Sequence, residues 1–219
     1  MLKGIIFDFD GLILDTETPI YQAWQEIYDQ YQCELPLERL ISNIGSTEII
    51  FDPLDYLLNT TRMELSISDL NRKIDIRLAS LLINQPIMPG VLDLINSAYS
   101  SKLLLAIASS SPLNWVSSHL NNLGIAEYFS CYATKDEVQT TKPSPELYLL
   151  ALKKMKLNAD EVIAIEDSVL GIEAAKSANL FSIAIPANLT KGLDFSLADL
   201  IVDSAAEIDL KSLASRFMN

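Results

Sequence analysis

The chain has 219 residues, 49% of them hydrophobic, and a formal net charge of −13; it can bury a sizeable core and is too apolar for a disordered chain. The negative balance speaks against nucleic acid or an anionic membrane as partner, both of which reward clustered Lys and Arg, and no apolar run is long enough to span a bilayer, so a soluble, cytoplasmic protein is expected. One histidine, His119, and two distant cysteines, Cys33 and Cys131, leave little material for a zinc site, a disulfide framework or histidine-dependent nucleophilic chemistry.

The first element is a hydrophobic strand ending in acids, Ile5-Ile6-Phe7-Asp8-Phe9-Asp10-Gly11. Alternation points Asp8 and Asp10 to the same side, at the strand end where open α/β sheets place their ligand crevice. Two carboxylates there could hold a cation and attack an electrophile. After Asp15 the period changes from two to three or four, with Ile20, Ala23, Trp24, Ile27, Tyr28 and Tyr31 on one helical face. Further helices are expected over 37–41, 49–58 and 67–82, separated by polar or Pro-containing breaks. Residues 16–86 thus read as a helical insert, and 1–15 with 87–219 as the domain it interrupts.

From Pro89 onward strands and helices alternate. Helices are expected over 91–99, 113–123, 145–155 and 169–178 and from about Ala205; strands over 103–108, 131–133, 162–165, 181–185 and 200–202. Such alternation, with near-continuous apolar strands, predicts an α/β fold, a Rossmann-like parallel sheet covered by helices on both faces.

Three later segments carry chemistry in a fixed order: Ala106-Ile107-Ala108-Ser109-Ser110-Ser111, then Lys142-Pro143-Ser144-Pro145-Glu146, then Ile163-Ala164-Ile165-Glu166-Asp167-Ser168. With the opening Asp8-Phe9-Asp10-Gly11 they resemble the haloacid dehalogenase superfamily of phosphohydrolases, and within it the subfamily with a helical cap inserted after the first motif. The resemblance covers essentially the whole chain and implies a Mg²⁺-dependent phosphomonoester hydrolase working through an aspartyl phosphate. It implies Asp8 as nucleophile and Asp10 as general acid and then base. Ser109 and Lys142 match the hydroxyl and the cation on the phosphoryl group, with Gly11 and Ser110 beside it. Asp8, Asp167 and the main chain of Asp10 match the metal ligands, with Glu166 behind them or acting through water. Hard oxygen ligands without histidine favour Mg²⁺ over zinc or copper.

The alternative within the resemblance is a β-phosphoglucomutase-type phosphosugar mutase. That pattern carries a histidine in the first cap helix, where this chain has Ile20, and basic residues around a cap-loop glycine, where it has Asn43-Ile44-Gly45-Ser46-Thr47-Glu48. A neutral and acidic loop grips a second phosphate poorly, so hydrolysis of a sugar or polyol phosphate is favoured. Glu17, Gly45, Ser46, Thr47 and Glu48 are the candidates for contacting the substrate's leaving group, and Asp15 and Thr16 for a hinge. The expected partner is a small phosphorylated metabolite, bound by a monomer. A catalytically silent sensor of such a metabolite is the reading from a different class.

Overall fold

A computed structural model describes residues 1–45 and 49–217. The apolar run after Lys3 forms β1 (Gly4–Phe7), buried throughout and central in a six-stranded sheet. β2 (Leu104–Ser109) and β3 (Cys131–Thr134) extend the sheet on one side; β4 (Val162–Glu166), β5 (Phe181–Ala184) and β6 (Leu200–Ile201) extend it on the other, in the order β3-β2-β1-β4-β5-β6. Every pairing is parallel. Phe7 is in register with Ile107 of β2 and Ile165 of β4, so the residues following all three strands emerge at one edge. The chain passes from one half of the sheet to the other between β1 and β4, the switch point at which such sheets open a crevice.

Alternation along the strands sends Ile5, Phe7, Leu105, Ile107, Ile163 and Ile165 to one face. There they meet α5 (Val91–Ser100), α6 (Leu113–Asn122) and α9 (Leu210–Arg216). Ile6, Ala106, Ala108, Val162 and Ala164 point to the other face, against α7 (Glu146–Met155) and α8 (Val169–Ser177). Small residues on that face let the helices approach closely. A Cβ at Gly171 of α8 would lie 2.0 Å from the Glu166 carboxylate carbon, so this helix packs closely on an acid.

Between β1 and β2 the chain folds α1 (Glu17–Gln30), α2 (Leu37–Ile41), α3 (Pro53–Thr61) and α4 (Ile67–Leu82) around a separate apolar cluster that includes Ala23, Ile27, Tyr28, Phe51, Leu57 and Leu70. The buried Tyr28 hydroxyl donates to the Pro53 carbonyl at 2.6 Å and ties α1 to α3. Leu14 forms an antiparallel bridge with Ile87, and the Met88 amide donates to the Ile13 carbonyl at 2.9 Å, so the segments leaving β1 for the helices and returning from them lie side by side.

Two boundaries differ from expectation. The helix expected over 49–58 begins at Pro53, because the Asp52 side chain accepts from the amides of Leu54 and Asp55 and proline is suited to the first helical position. The helix expected from Ala205 is a single 3₁₀ turn, Ala205–Glu207. α9 starts only after Asp209, whose carboxylate caps the Lys211 amide.

Candidate active site

The edge where β1, β2 and β4 end collects the acids. Asp8 directly follows β1, is buried, and has its amide bonded to the Ile165 carbonyl at 2.9 Å. Lys142, equally buried, places Nζ 2.5 Å from Asp8 Oδ1 and 2.6 Å from Glu166 Oε1. Glu166 also accepts from the Tyr148 hydroxyl at 2.5 Å and the Ser168 hydroxyl at 3.1 Å. Its Oε1 thus faces both the lysine and Tyr148, and its Oε2 faces Ser168. Burial opposes the charge on Lys142, but Asp8 and Glu166 outweigh it and hold the ammonium pKa above its ordinary value.

Asp167 is the opposite case. Both of its carboxylate oxygens are buried and neither has a hydrogen-bond partner among the described residues. Carboxylate oxygens of Asp8, Glu166 and Asp167 lie within 4.8 Å of one another. A buried carboxylate with no donor is costly, and a cation facing it removes that cost. The close approach depends on Gly11, whose φ is +80° and whose Cβ, if it had one, would lie 2.0 Å from Asp167 Oδ2.

The electrostatics agree. Burial, followed by Glu166, raises the Asp8 pKa to about 7 despite Lys142, and burial followed by Asp8 and Glu166 carries Asp167 well above the usual carboxylate range. Glu17, partly buried in the first turn of α1, is pushed up to about 8 by burial and then by Asp10, Asp8 and Asp15. With one buried lysine among these acids, negative charge is in excess in the site, and a divalent cation would bring all three pKa values down. The donor set is all carboxylate oxygen, which fits a hard cation.

Asp10 is held by side chains. Ser111 Oγ donates to its Oδ2 at 2.6 Å, Ser109 Oγ at 3.3 Å, and the Trp115 indole N–H donates to Oδ1 at 2.9 Å. Asp8, Asp10, Ser109, Lys142 and Thr16 share a cavity of about 230 Å³, into which Glu17, Ile20, Asn43 and Gly45 reach from the insert.

Residues 5–185 match the family described as haloacid dehalogenase-like hydrolases. The chain belongs to the haloacid dehalogenase-like hydrolases. It is 39% identical over 213 residues to the phosphatase candidate YhcW of Bacillus subtilis (strain 168), covering 97% of this chain and 96% of the relative. A phosphorylated carbohydrates phosphatase of Thermotoga maritima is 29% identical over 184 residues, covering 82% of each. Among solved structures, a point mutant of CbbY from Rhodobacter sphaeroides, crystallised in complex with xylulose-(1,5)bisphosphate, superposes with a TM-score of 0.74 at 29% identity. That match covers 94% of this chain and 96% of the other. The chain is accordingly an enzyme, a phosphatase of this hydrolase family, and its α/β class is as expected.

Of the residues singled out from sequence, Asp8, Asp10, Gly11, Ser109, Lys142, Glu166 and Asp167 converge on this edge. Ser110 lines the same cavity, but its hydroxyl turns to the insert and donates to the Gly45 carbonyl at 3.1 Å. Gly45, at φ +86°, lies so close to the sheet domain that a Cβ would meet Ser168 Oγ at 2.7 Å. Asp15 accepts from the Thr18 amide at 3.0 Å, while Thr16 is buried and its hydroxyl has no partner among the described residues. Ser46, Thr47 and Glu48 lie outside the described residues. Ser111, Trp115 and Tyr148 had no assigned role in the sequence. The serine run and the first turns of helices following β2 and Lys142 were the available signals.

Proposed function

We propose that the chain is a Mg²⁺-dependent phosphomonoester hydrolase acting on a small sugar or polyol phosphate through an aspartyl-phosphate intermediate. The supporting observation is the buried Asp8, at the end of the central strand, with Lys142 2.5 Å away and the unpartnered Asp167 beside it. In the first step an Asp8 oxygen attacks phosphorus, the bond to the leaving oxygen breaks, and Asp10 gives that oxygen a proton. Asp10 then takes a proton from water, the water oxygen attacks phosphorus, and the bond to Asp8 breaks to release inorganic phosphate. One carboxyl group serving both steps suits an alkoxide leaving group, which departs poorly unless protonated.

Lys142 balances charge between nucleophile and phosphoryl group, and Glu166, backed by Tyr148 and Ser168, fixes the lysine in place. Ser109, Ser110 and the turn at Gly11 supply donors for phosphoryl oxygens. Asp8, Asp167 and the Asp10 main-chain carbonyl would hold Mg²⁺, which when bound neutralises the phosphate's charge against the acids around it. Ser111 and Trp115 are positioning residues that aim the Asp10 carboxyl.

Residues 16–86 form the cap in this reading and 1–15 with 87–219 the core; Asp15 and Thr16 are the hinge, and the enzyme works as a monomer. Ile20 at the cavity wall, where a mutase pattern has a histidine, favours hydrolysis over phosphoryl return to sugar. The test is inorganic phosphate release from sugar and polyol monophosphates. Release is expected with Mg²⁺, is lost in EDTA, returns on Mg²⁺ addition and is absent in Asp8→Asn. Undiminished release by Asp8→Asn overturns the reading.

A further inference from the structure

The catalytic cavity continues into the insert. Glu17, Ile20 and Asn43 are walls both of that cavity and of a second one of about 470 Å³. The second cavity is enclosed mainly by apolar side chains: Trp24 of α1, Ile41 of α2, Ile44, Phe51 and Leu54, with Leu189 contributed from the sheet domain. A concave space of this size, mostly apolar among the described residues and carrying Glu17, Asn43, Asp52 and Asn71 as its polar groups, is what a small-molecule site requires.

Its polar walls are specific about what they accept. No Lys, Arg or His lines it among the described residues, and the stretch 43–50 contains none in sequence. The two lysines that reach the catalytic cavity, Lys135 and Lys142, both belong to the sheet side. Asn43 is engaged within its own loop: Oδ1 accepts from the amides of Ile50 and Phe51 at 3.0 Å, and Nδ2 donates to the Phe51 carbonyl at 2.6 Å. Asp52 caps α3. Glu17, at the junction of the two cavities, has no hydrogen-bond partner among the described residues and is free to meet a hydroxyl group. A second phosphate or a carboxylate lodged here would lose its hydration with no cation to replace it.

We infer that the substrate's leaving group is a polyol that carries an uncharged apolar ring. Its hydroxyl groups meet Glu17 at the junction, and the ring fills the second cavity. The inference rests on the phosphomonoesterase reading above and narrows it: bisphosphates, phosphocarboxylates and short bare polyol phosphates are the poor substrates. The contrast is with CbbY, captured with a bisphosphate.

A matched set of probes tests this on the wild-type protein with Mg²⁺: ribitol 5-phosphate carrying a 3,4-dimethylanilino ring in place of its C1 hydroxyl, ribitol 5-phosphate itself with no ring, and xylulose 1,5-bisphosphate with a second anion. The ring-bearing ester is expected to exceed ribitol 5-phosphate in kcat/KM by about tenfold or more, the gain from burying roughly 60 Å² of apolar surface. The bisphosphate is expected to fall below ribitol 5-phosphate. Leu54→Gln, which puts an amide into the second cavity, is expected to shrink the ring preference several-fold through KM; a general folding defect would lower all three substrates alike. Equal activity on the matched pair, preference for the bisphosphate, or an unchanged ratio in Leu54→Gln each overturns the inference while phosphate release itself sustains the phosphatase reading. Release from none of the probes or other phosphomonoesters overturns both.

Discussion

The strand-end edge of the sheet and the helical insert meet at one cavity but are built by different rules. At the sheet edge, parallel register fixes the acids and the first serine: Phe7 aligned with Ile107 and Ile165 delivers Asp8, Ser109 and the Glu166-Asp167 pair to one place. In the insert, apolar faces fix only that α1 to α4 pack around Tyr28 and Leu57, and the surface turned to the cavity is left over from that packing. Chemistry set by register tolerates little change, whereas a surface set by packing can vary its shape without moving the reacting groups.

Lys142→Met is expected to break the sheet side most severely. It strands Asp8 and Glu166 as buried acids without their cation, at a stability cost of about 3–5 kcal/mol measured by denaturant unfolding at neutral pH. Phosphate release should fall below detection at the same time. A stable, active Lys142→Met protein would mean that the register-fixed cluster is ordinary packing.

Next comes Trp115→Phe, which keeps the ring and removes the N–H that reaches Asp10. Release from an alkyl phosphate should drop by about 10- to 100-fold in kcat, within the range for general acid–base catalysis. With p-nitrophenyl phosphate, whose leaving group needs no proton, the pre-steady-state burst of p-nitrophenol should stay nearly as fast as in wild type, while hydrolysis of the aspartyl phosphate, for which Asp10 is the base, slows. An equal slowing of phosphoenzyme formation from both substrates would reduce Trp115 to a structural role.

In the insert, Leu57→Ala is expected to cost about 2–5 kcal/mol by cavity formation at a fully buried side chain. It should leave the proton-transfer behaviour on the two leaving groups unchanged. A shift in that leaving-group ratio would erase the distinction between the two regions.

The last effect concerns Glu17 at the boundary and shows only as a dependence on pH. In metal-free protein its folded pKa, about 8, lies above its value in an unfolded chain, near 4.5. The folded state therefore favours the proton, and Glu17's contribution to stability is greatest below pH 4.5 and is lost as pH rises toward 8. Glu17→Gln removes this dependence. Its melting temperature in chelator should gain on wild type progressively between pH 4.5 and 8, and a constant difference across that range would place Glu17 in open solvent.

The sheet side was legible in sequence because apolar runs and their terminal acids are local features whose alignment a parallel sheet then enforces. Trp115 was not legible. Helical periodicity describes which residues face the core, but a side chain in the first turn of α6 tilts back toward the helix N-terminus and so returns over the end of β2 to Asp10. Tyr148 reaches Glu166 from the first turns of α7 for the same reason. Gly45 was read for its loop, yet its missing Cβ serves the close approach to Ser168, a contact between segments remote in sequence. The late start of α3 turned on a capping acid and a proline inside an otherwise continuous apolar stretch.

The most direct measurement is a rapid acid quench during a single turnover, with the trapped protein digested and mapped. Asp8 should carry a phosphoryl group that hydroxylamine removes, and Asp8→Asn should show neither the adduct nor turnover. Turnover with no adduct at Asp8, or an adduct on another residue, would contradict the assignment of the central-strand carboxylate as nucleophile.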